Sequence, residues 1–214
     1  MIKGIIFDMD GVISDTQKLH AQVESELLGR FRVSISPEEI TLRYAGVKTT
    51  EFFEELLRTQ EVKYDLNLLM AEKWSKMEEL ASKSVDAVDG SIELIKKLYS
   101  QGYPLAVASA SNLTYVQSVL ITLGVKNNFR YIVSGDMVSR GKPDPESFLL
   151  AASKIKVKPK NCLVIEDGLS GMEAAKRGGM YCIGLVPRKD QKYPTNNQVL
   201  SLSEITSKYL KEIE

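Results

Sequence analysis

Asp8 and Asp10 stand two residues apart in Phe7-Asp8-Met9-Asp10-Gly11, directly after an apolar run. Side chains alternate along a strand with a period of two, so the two carboxylates share a face only while the strand lasts. Gly11 lets the chain turn away without a Cβ penalty. Two acids are therefore expected at the carboxyl end of a strand, the edge where open α/β sheets place their ligands. Left unpaired they would repel, which implies a divalent cation or a shared proton. Three more polar segments follow strand-like runs: Ser109-Ala110-Ser111-Asn112, Gly141-Lys142-Pro143-Asp144-Pro145 and Glu166-Asp167-Gly168.

These residue types suit phosphoryl transfer. A phosphate monoester needs its equatorial oxygens neutralised and its attack held in line. Asp8, ionised at neutral pH, can attack phosphorus and form an aspartyl-phosphate. Asp10 can protonate the departing ester oxygen and later activate water. That role asks for a raised pKa, which a neighbouring carboxylate favours. Glu166 and Asp167 offer hard oxygens to Mg²⁺. Ser109 offers a hydroxyl, and the helix start after it offers N–H groups. Lys142 is a point charge that can hold the phosphate beside Asp8.

The elements that must position these groups follow from periodicity. Residues 91–100, 112–123, 144–155, 170–177 and 202–213 carry helical spacing. Gly124 and Gly178-Gly179 are placed to stop two of these helices, and Pro145 falls in a first turn. Residues 103–108, 129–133, 162–165 and 181–185 read as short strands. This rhythm predicts an α/β fold, a Rossmann-like parallel sheet with helices on both faces. Residues 16–87 break it: they read as helices without strands, with a start signature at Ser36-Pro37-Glu38-Glu39. The expectation is a discontinuous core of residues 1–15 and 88–214 with an all-helical cap of residues 16–87. Hinges near 13–16 and 85–90 would let that insert act as a lid over strand one.

Composition narrows the partners. Lys+Arg and Asp+Glu both number 28 in 214 residues, a net charge of zero that favours neither nucleic acid nor an anionic membrane. No apolar run is long enough to span a bilayer, and the N-terminus lacks a signal-peptide pattern. Cys162 and Cys182 lie in apolar strand-like runs and are expected as buried, reduced thiols of a cytoplasmic protein. The partner expected from the phosphoryl-transfer residues is a small phosphorylated metabolite, and the protein is expected as a monomer or weak dimer.

The four motifs, in this order, resemble the haloacid dehalogenase-like superfamily of aspartate-nucleophile phosphotransferases. The matching residues are Phe7-Asp8-Met9-Asp10-Gly11-Val12, Val107-Ala108-Ser109-Ala110-Ser111, Gly141-Lys142-Pro143-Asp144-Pro145-Glu146 and Val164-Ile165-Glu166-Asp167-Gly168. The helical insert after the first motif is similar to that of the subgroup holding β-phosphoglucomutase and small sugar-phosphate phosphatases. The resemblance implies Mg²⁺ dependence and a mobile cap. It implies metal contacts from the Asp8 carboxylate, the Asp10 backbone carbonyl and Asp167, with Glu166 nearby, and a cis Lys142-Pro143 bond. Asp10 points to an oxygen leaving group, because halide departs without a proton.

Around the motifs, His20 sits where the mutase pattern also has a histidine. Asp15 and Thr16 read mainly as a cap for the first insert helix. Gly46-Val47-Lys48-Thr49 matches the cap segment that dips towards the core, but Lys48-Thr49 stands where the mutase carries an arginine for a distal phosphate. Gly46 and Lys48 are candidate substrate contacts, and Arg43 is a candidate substitute for that arginine. Lys73, Trp74 and Lys76 lie where the mutase offers further cap contacts; Trp74 is read as packing. Ala110, Ser111 and Asn112 are candidate substrate contacts, with Ser111 and Asn112 also suited to cap the next helix. The function expected is phosphate-ester hydrolysis. A hexose-phosphate mutase is the alternative, and a non-catalytic phospho-ligand module the distant one.

Overall fold

A computed structural model describes residues 1–44, 49–58 and 63–213. Its centre is a six-stranded, all-parallel sheet in the order β3-β2-β1-β4-β5-β6. The strands are β1 (Gly4–Phe7), β2 (Leu105–Ala108), β3 (Tyr131–Val133), β4 (Cys162–Glu166), β5 (Tyr181–Leu185) and β6 (Asn197–Val199). Every residue of β1, β2 and β4 is buried, as continuous apolar runs in a sheet covered on both faces must be. The helices of the core are α5 (Ser91–Ser100), α6 (Leu113–Thr122), α7 (Glu146–Lys154), α8 (Leu169–Arg177) and α9 (Ser207–Glu212). On one face Ile5, Phe7, Val107 and Ile165 pack with Leu94, Ile95, Val116 and Val119. On the other, Ile6, Ala106 and Val164 pack with Phe148, Ala151, Met172 and Ala175.

The chain fills one side of β1 with β2 and β3, then crosses to β4, β5 and β6 on the other. The crevice at the carboxyl ends of β1 and β4 is thus the switch point of the sheet, where ligands of such folds bind. All four polar motifs lead off strand ends at this edge.

Between β1 and α5 stand the helices of the insert: α1 (Gln17–Gly29), α2 (Pro37–Tyr44), α3 (Thr49–Arg58) and α4 (Leu66–Lys83). Its two linkers run side by side. Ser14 bridges Ala87 in antiparallel fashion, Asp15 N–H donates to Asp86 at 2.8 Å and Val88 N–H to Ile13 at 3.1 Å. Inside the insert, the buried Lys73 ammonium donates to Glu24 at 2.6 Å and to Thr49 at 3.0 Å. The insert meets the core along α4 and α6, where Thr122 donates to the Ala81 carbonyl at 2.9 Å and Asn112 to Glu78 at 3.2 Å. Among the described residues no helix is long and apolar enough to cross a membrane.

Several boundaries differ from the sequence reading. The expected helix over 202–213 is a 3-10 turn at Leu202–Glu204 followed by α9. Ser201 and Thr206 each accept bonds from the backbone ahead of them, so two caps compete with one continuous helix. Residue Pro145 precedes α7 instead of lying in its first turn, and Asp144 accepts from Glu146 N–H at 3.0 Å. The edge strand β6 escaped notice because three half-polar residues carry no period. Gly124 does end α6 as read: its φ is +69°, with Gly124 N–H bonded to Ile121 and Val125 N–H to Leu120. Both cysteines are buried and free.

Candidate active site

The end of β1 delivers Asp8 to the centre of the crevice. Lys142, from the loop between β3 and α7, donates to Asp8 Oδ1 and, at 2.7 Å, to Glu166 Oε1. The side chains of Lys142, Asp8 and Glu166 are only 9%, 10% and 4% exposed. The loop of Lys142 is pinned by Glu146, which accepts from Ser139 and Arg140 N–H at 3.0 and 3.1 Å. The Lys142-Pro143 bond is cis, as the resemblance implies. Glu166 gives its second oxygen to Gly168 N–H at 2.6 Å. A Cβ on Gly171 would lie 1.7 Å from Glu166 Oε1, so the glycine makes the room this carboxylate occupies.

Asp10 sits in a cage of donors. Its Oδ1 accepts from Thr16 at 2.5 Å, faces His20 Nε2 at 3.2 Å and accepts from Tyr115 at 3.4 Å. Its Oδ2 accepts from Ser111 at 2.9 Å and Ser109 at 3.4 Å. Burial raises its pKa, but the charge and hydrogen bond of His20, with bonds from Thr16 and Ser111, outweigh burial and lower it to about 2. The raised value expected from the neighbouring carboxylate is thereby corrected: His20, Thr16 and Ser111 dominate.

Asp167 lies over Gly11, where Gln17 donates to its Oδ2. Gly11 has φ +90°, and a Cβ there would lie 2.1 Å from that oxygen. No other residue type fits both the backbone and the space.

The remaining candidates divide. Asn112 accepts from Tyr115 N–H at 2.9 Å as the cap of α6 and contacts the insert through Glu78, whereas Ser111 turns to Asp10. Ala110 is exposed at the bend between Ser109 and Ser111. The N–H groups expected to greet a phosphate are largely occupied: Leu113 by Asp136 at 2.8 Å, Tyr115 by Asn112 and Ser111 by Ser109 Oγ at 3.0 Å. Thr16 occupies the cap position of α1, yet its hydroxyl makes no cap bond and serves Asp10. Lys73 points into the insert, Lys76 pairs with Glu26, and the exposed Arg43 pairs with Glu39 at 2.6 Å. Gly46 and Lys48 fall outside the described residues. Sequence reasoning missed Gln17 and Tyr115. The signal for Tyr115 was a polar aromatic three residues after the cap Asn112, on a helix whose buried face is otherwise aliphatic.

The donor set fits Mg²⁺. Among the described residues no three carboxylate, imidazole or thiolate side chains are gathered to hold a metal unaided. Mg²⁺ takes one or two carboxylates and leaves the rest to water and phosphate oxygens. Burial pushes Asp8 well up; Lys142 opposes this, while Glu166, Asp167 and Asp10 add to it. Burial and Glu166 push Asp167 up to about 7. A divalent cation is the group that would relieve this crowding.

Linkage turns this into an expected result. Acids with raised folded pKa keep protons the unfolded chain has released, so without metal, stability falls as pH rises from about 4 to about 7. Mg²⁺ competes with those protons and should raise the melting temperature more near pH 7.5 than near pH 5, by roughly several degrees at saturation. Thermal melts with Mg²⁺ or a chelator at both pH values check this, and equal shifts at the two would refute it.

Three comparisons bear on this arrangement. Residues 5–185 match the family model described as haloacid dehalogenase-like hydrolase. A phosphorylated carbohydrates phosphatase of Thermotoga maritima is 30% identical over 179 residues, 84% of this chain and 82% of that protein. β-Phosphoglucomutase of Bacillus subtilis is 29% identical over 191 residues, 86% of this chain and 83% of that protein. Among solved structures, CbbY of Rhodobacter sphaeroides in complex with phosphate superposes with a TM-score of 0.87 at 26% identity, covering 99% of this chain and 100% of that one.

Proposed function

The chain belongs to the haloacid dehalogenase-like hydrolase family, and from that premise we propose that it is a Mg²⁺-dependent phosphatase of a small phosphorylated metabolite, a sugar phosphate. Asp8 attacks phosphorus, and the leaving oxygen takes its proton from Asp10. Water then opens the aspartyl-phosphate with Asp10 as base. The observation that best supports this reading is the junction of Asp8, Lys142 and Glu166 at the sheet's switch point, with Asp10 in its hydroxyl cage beside it.

Each residue has a part in the cycle. Lys142 supplies a fixed positive charge against Asp8 and the transferring phosphoryl group. Glu166 keeps that ammonium in place. Ser109 offers its hydroxyl to the phosphate. Asp8, Asp167 and the Asp10 carbonyl would hold Mg²⁺, with Glu166 alongside, and the ion would neutralise phosphoryl oxygens when bound. In the arrangement described, Asp10 is in its ionised form, which the water-activating half requires. The leaving-group half requires the acid, so the bonds from Thr16, at the first hinge, and from His20, beyond it, must be exchanged within the cycle.

Among the described residues, the insert's own charges favour hydrolysis over mutase chemistry. A mutase grips a second phosphate, and Arg43, Lys73 and Lys76 are each paired with an insert carboxylate instead. The test is a panel of sugar phosphates and p-nitrophenyl phosphate with Mg²⁺ or chelator, plus β-glucose 1-phosphate with a trace of bisphosphate. Free phosphate released only with Mg²⁺ is expected. Isomerisation to glucose 6-phosphate without free phosphate, or no turnover of any compound, would overturn the reading.

A further inference from the structure

Tyr115 is fully buried in the first turn of α6, a core helix. Its hydroxyl reaches Asp10, and its ring receives two side chains from the insert. His20 of α1 stands edge-on at 5.3 Å between ring centres, and Trp74 of α4 tilts against it at 5.8 Å. His20 and Trp74 meet each other at 6.0 Å. The Trp74 ring also carries the Lys73 ammonium, 4.7 Å from its centre, and Lys73 holds Thr49 at the start of α3. Contacts therefore run without a gap from Asp10 through the core ring to the insert.

We propose that Tyr115 is the positioning residue on which the insert docks, so that seating Trp74 on its ring and bringing His20 to Asp10 are one event. An aliphatic residue could fill this site of α6, as Val116 and Val119 do nearby, but could not both donate to Asp10 and present a ring edge and face to two insert aromatics. Burial and the charge of Asp10 push the phenol upward, so it stays a donor at every working pH. Trp74, read from sequence as packing, thus packs across the boundary between insert and core. The inference rests on the reading of Asp10 as the acid–base group.

Trp74 is the chain's one tryptophan, so its emission reports docking directly. The experiment compares wild type, Tyr115→Phe and Tyr115→Leu, first as protein alone. Tyr115→Phe keeps the ring: emission maximum and acrylamide quenching should match wild type. Tyr115→Leu removes it: the maximum should move to the red by several nanometres and quenching should rise about twofold as Trp74 loses its seat. With the best substrate of the panel, Tyr115→Phe should lower kcat about threefold to tenfold at unchanged KM, the pattern of a group that acts on the chemical step and not on substrate binding. Unaltered Trp74 emission and quenching in folded Tyr115→Leu would overturn the docking role. Wild-type kcat in Tyr115→Phe would overturn the link to Asp10. If wild type itself turns over nothing, the proposed function fails while the emission comparison still decides docking.

Discussion

Asp8→Asn is expected to abolish turnover and leave the protein folded. Asparagine keeps the volume of the side chain and an oxygen that can accept from Lys142. It lacks the charge needed to attack phosphorus, so no aspartyl-phosphate forms. Loss of a nucleophile that acts as a unit with its neighbours costs about 10⁴-fold or more in kcat. Stability should move the other way. Asp8 is buried among Glu166, Asp167 and Asp10, and its carboxyl is pushed up by that burial and crowding. Removing one negative charge leaves Lys142 with Glu166 and reduces the repulsion. The variant should therefore melt at or above the wild-type temperature when metal is absent. Steady-state phosphate release and a thermal melt test both halves; activity above about one hundredth of wild type would sink the covalent route.

Lys142→Met should do the opposite to stability. Methionine fills much of the aliphatic volume, so the change is chiefly electrostatic. Asp8 and Glu166 then remain buried without their cation. Breaking a buried ion pair from one side costs about 3–5 kcal/mol, a large part of the 5–15 kcal/mol typical of a domain. The deficit has a direction in pH. Without Lys142, which holds it down, the Asp8 carboxyl rises further, the folded state holds more protons than the unfolded chain, and stability is lost as pH rises. Urea unfolding near pH 5 and near pH 8 should show the larger deficit at the higher pH. A variant with wild-type midpoints at both would show that Lys142 is not holding these carboxylates together. Turnover should fall as well, since Lys142 faces the phosphoryl position.

Much of this was legible in the sequence because the strands are buried on both faces. Continuous apolar runs such as residues 162–165 read as strands buried on both faces of a parallel sheet. Ser91–Ser100 and Tyr181–Leu185 fall where periodicity puts them. The hydroxyls were harder. Nothing local distinguishes a Thr16 that caps its helix from one that turns to Asp10, because the choice depends on where β1 places that carboxylate. The pKa of Asp10 was misjudged for the same reason. Neighbouring carboxylates are visible in sequence as a D-x-D pair, but Ser111 and His20 converge on Asp10 only in three dimensions. Gln17 and Asp167, 150 residues apart, meet across Gly11 with no sequence signal beyond the glycine itself.

The paired linkers have a consequence for how such a protein is put together. Because Ser14 bridges Ala87, the two ends of the insert leave the core at neighbouring points. A segment whose ends already touch can be lengthened, exchanged or excised with little change in loop-closure entropy. The sheet and its carboxylates form a chassis, and the helices between the linkers an interchangeable attachment. Substrate preference can then diverge by trading attachments while the phosphoryl chemistry stays fixed.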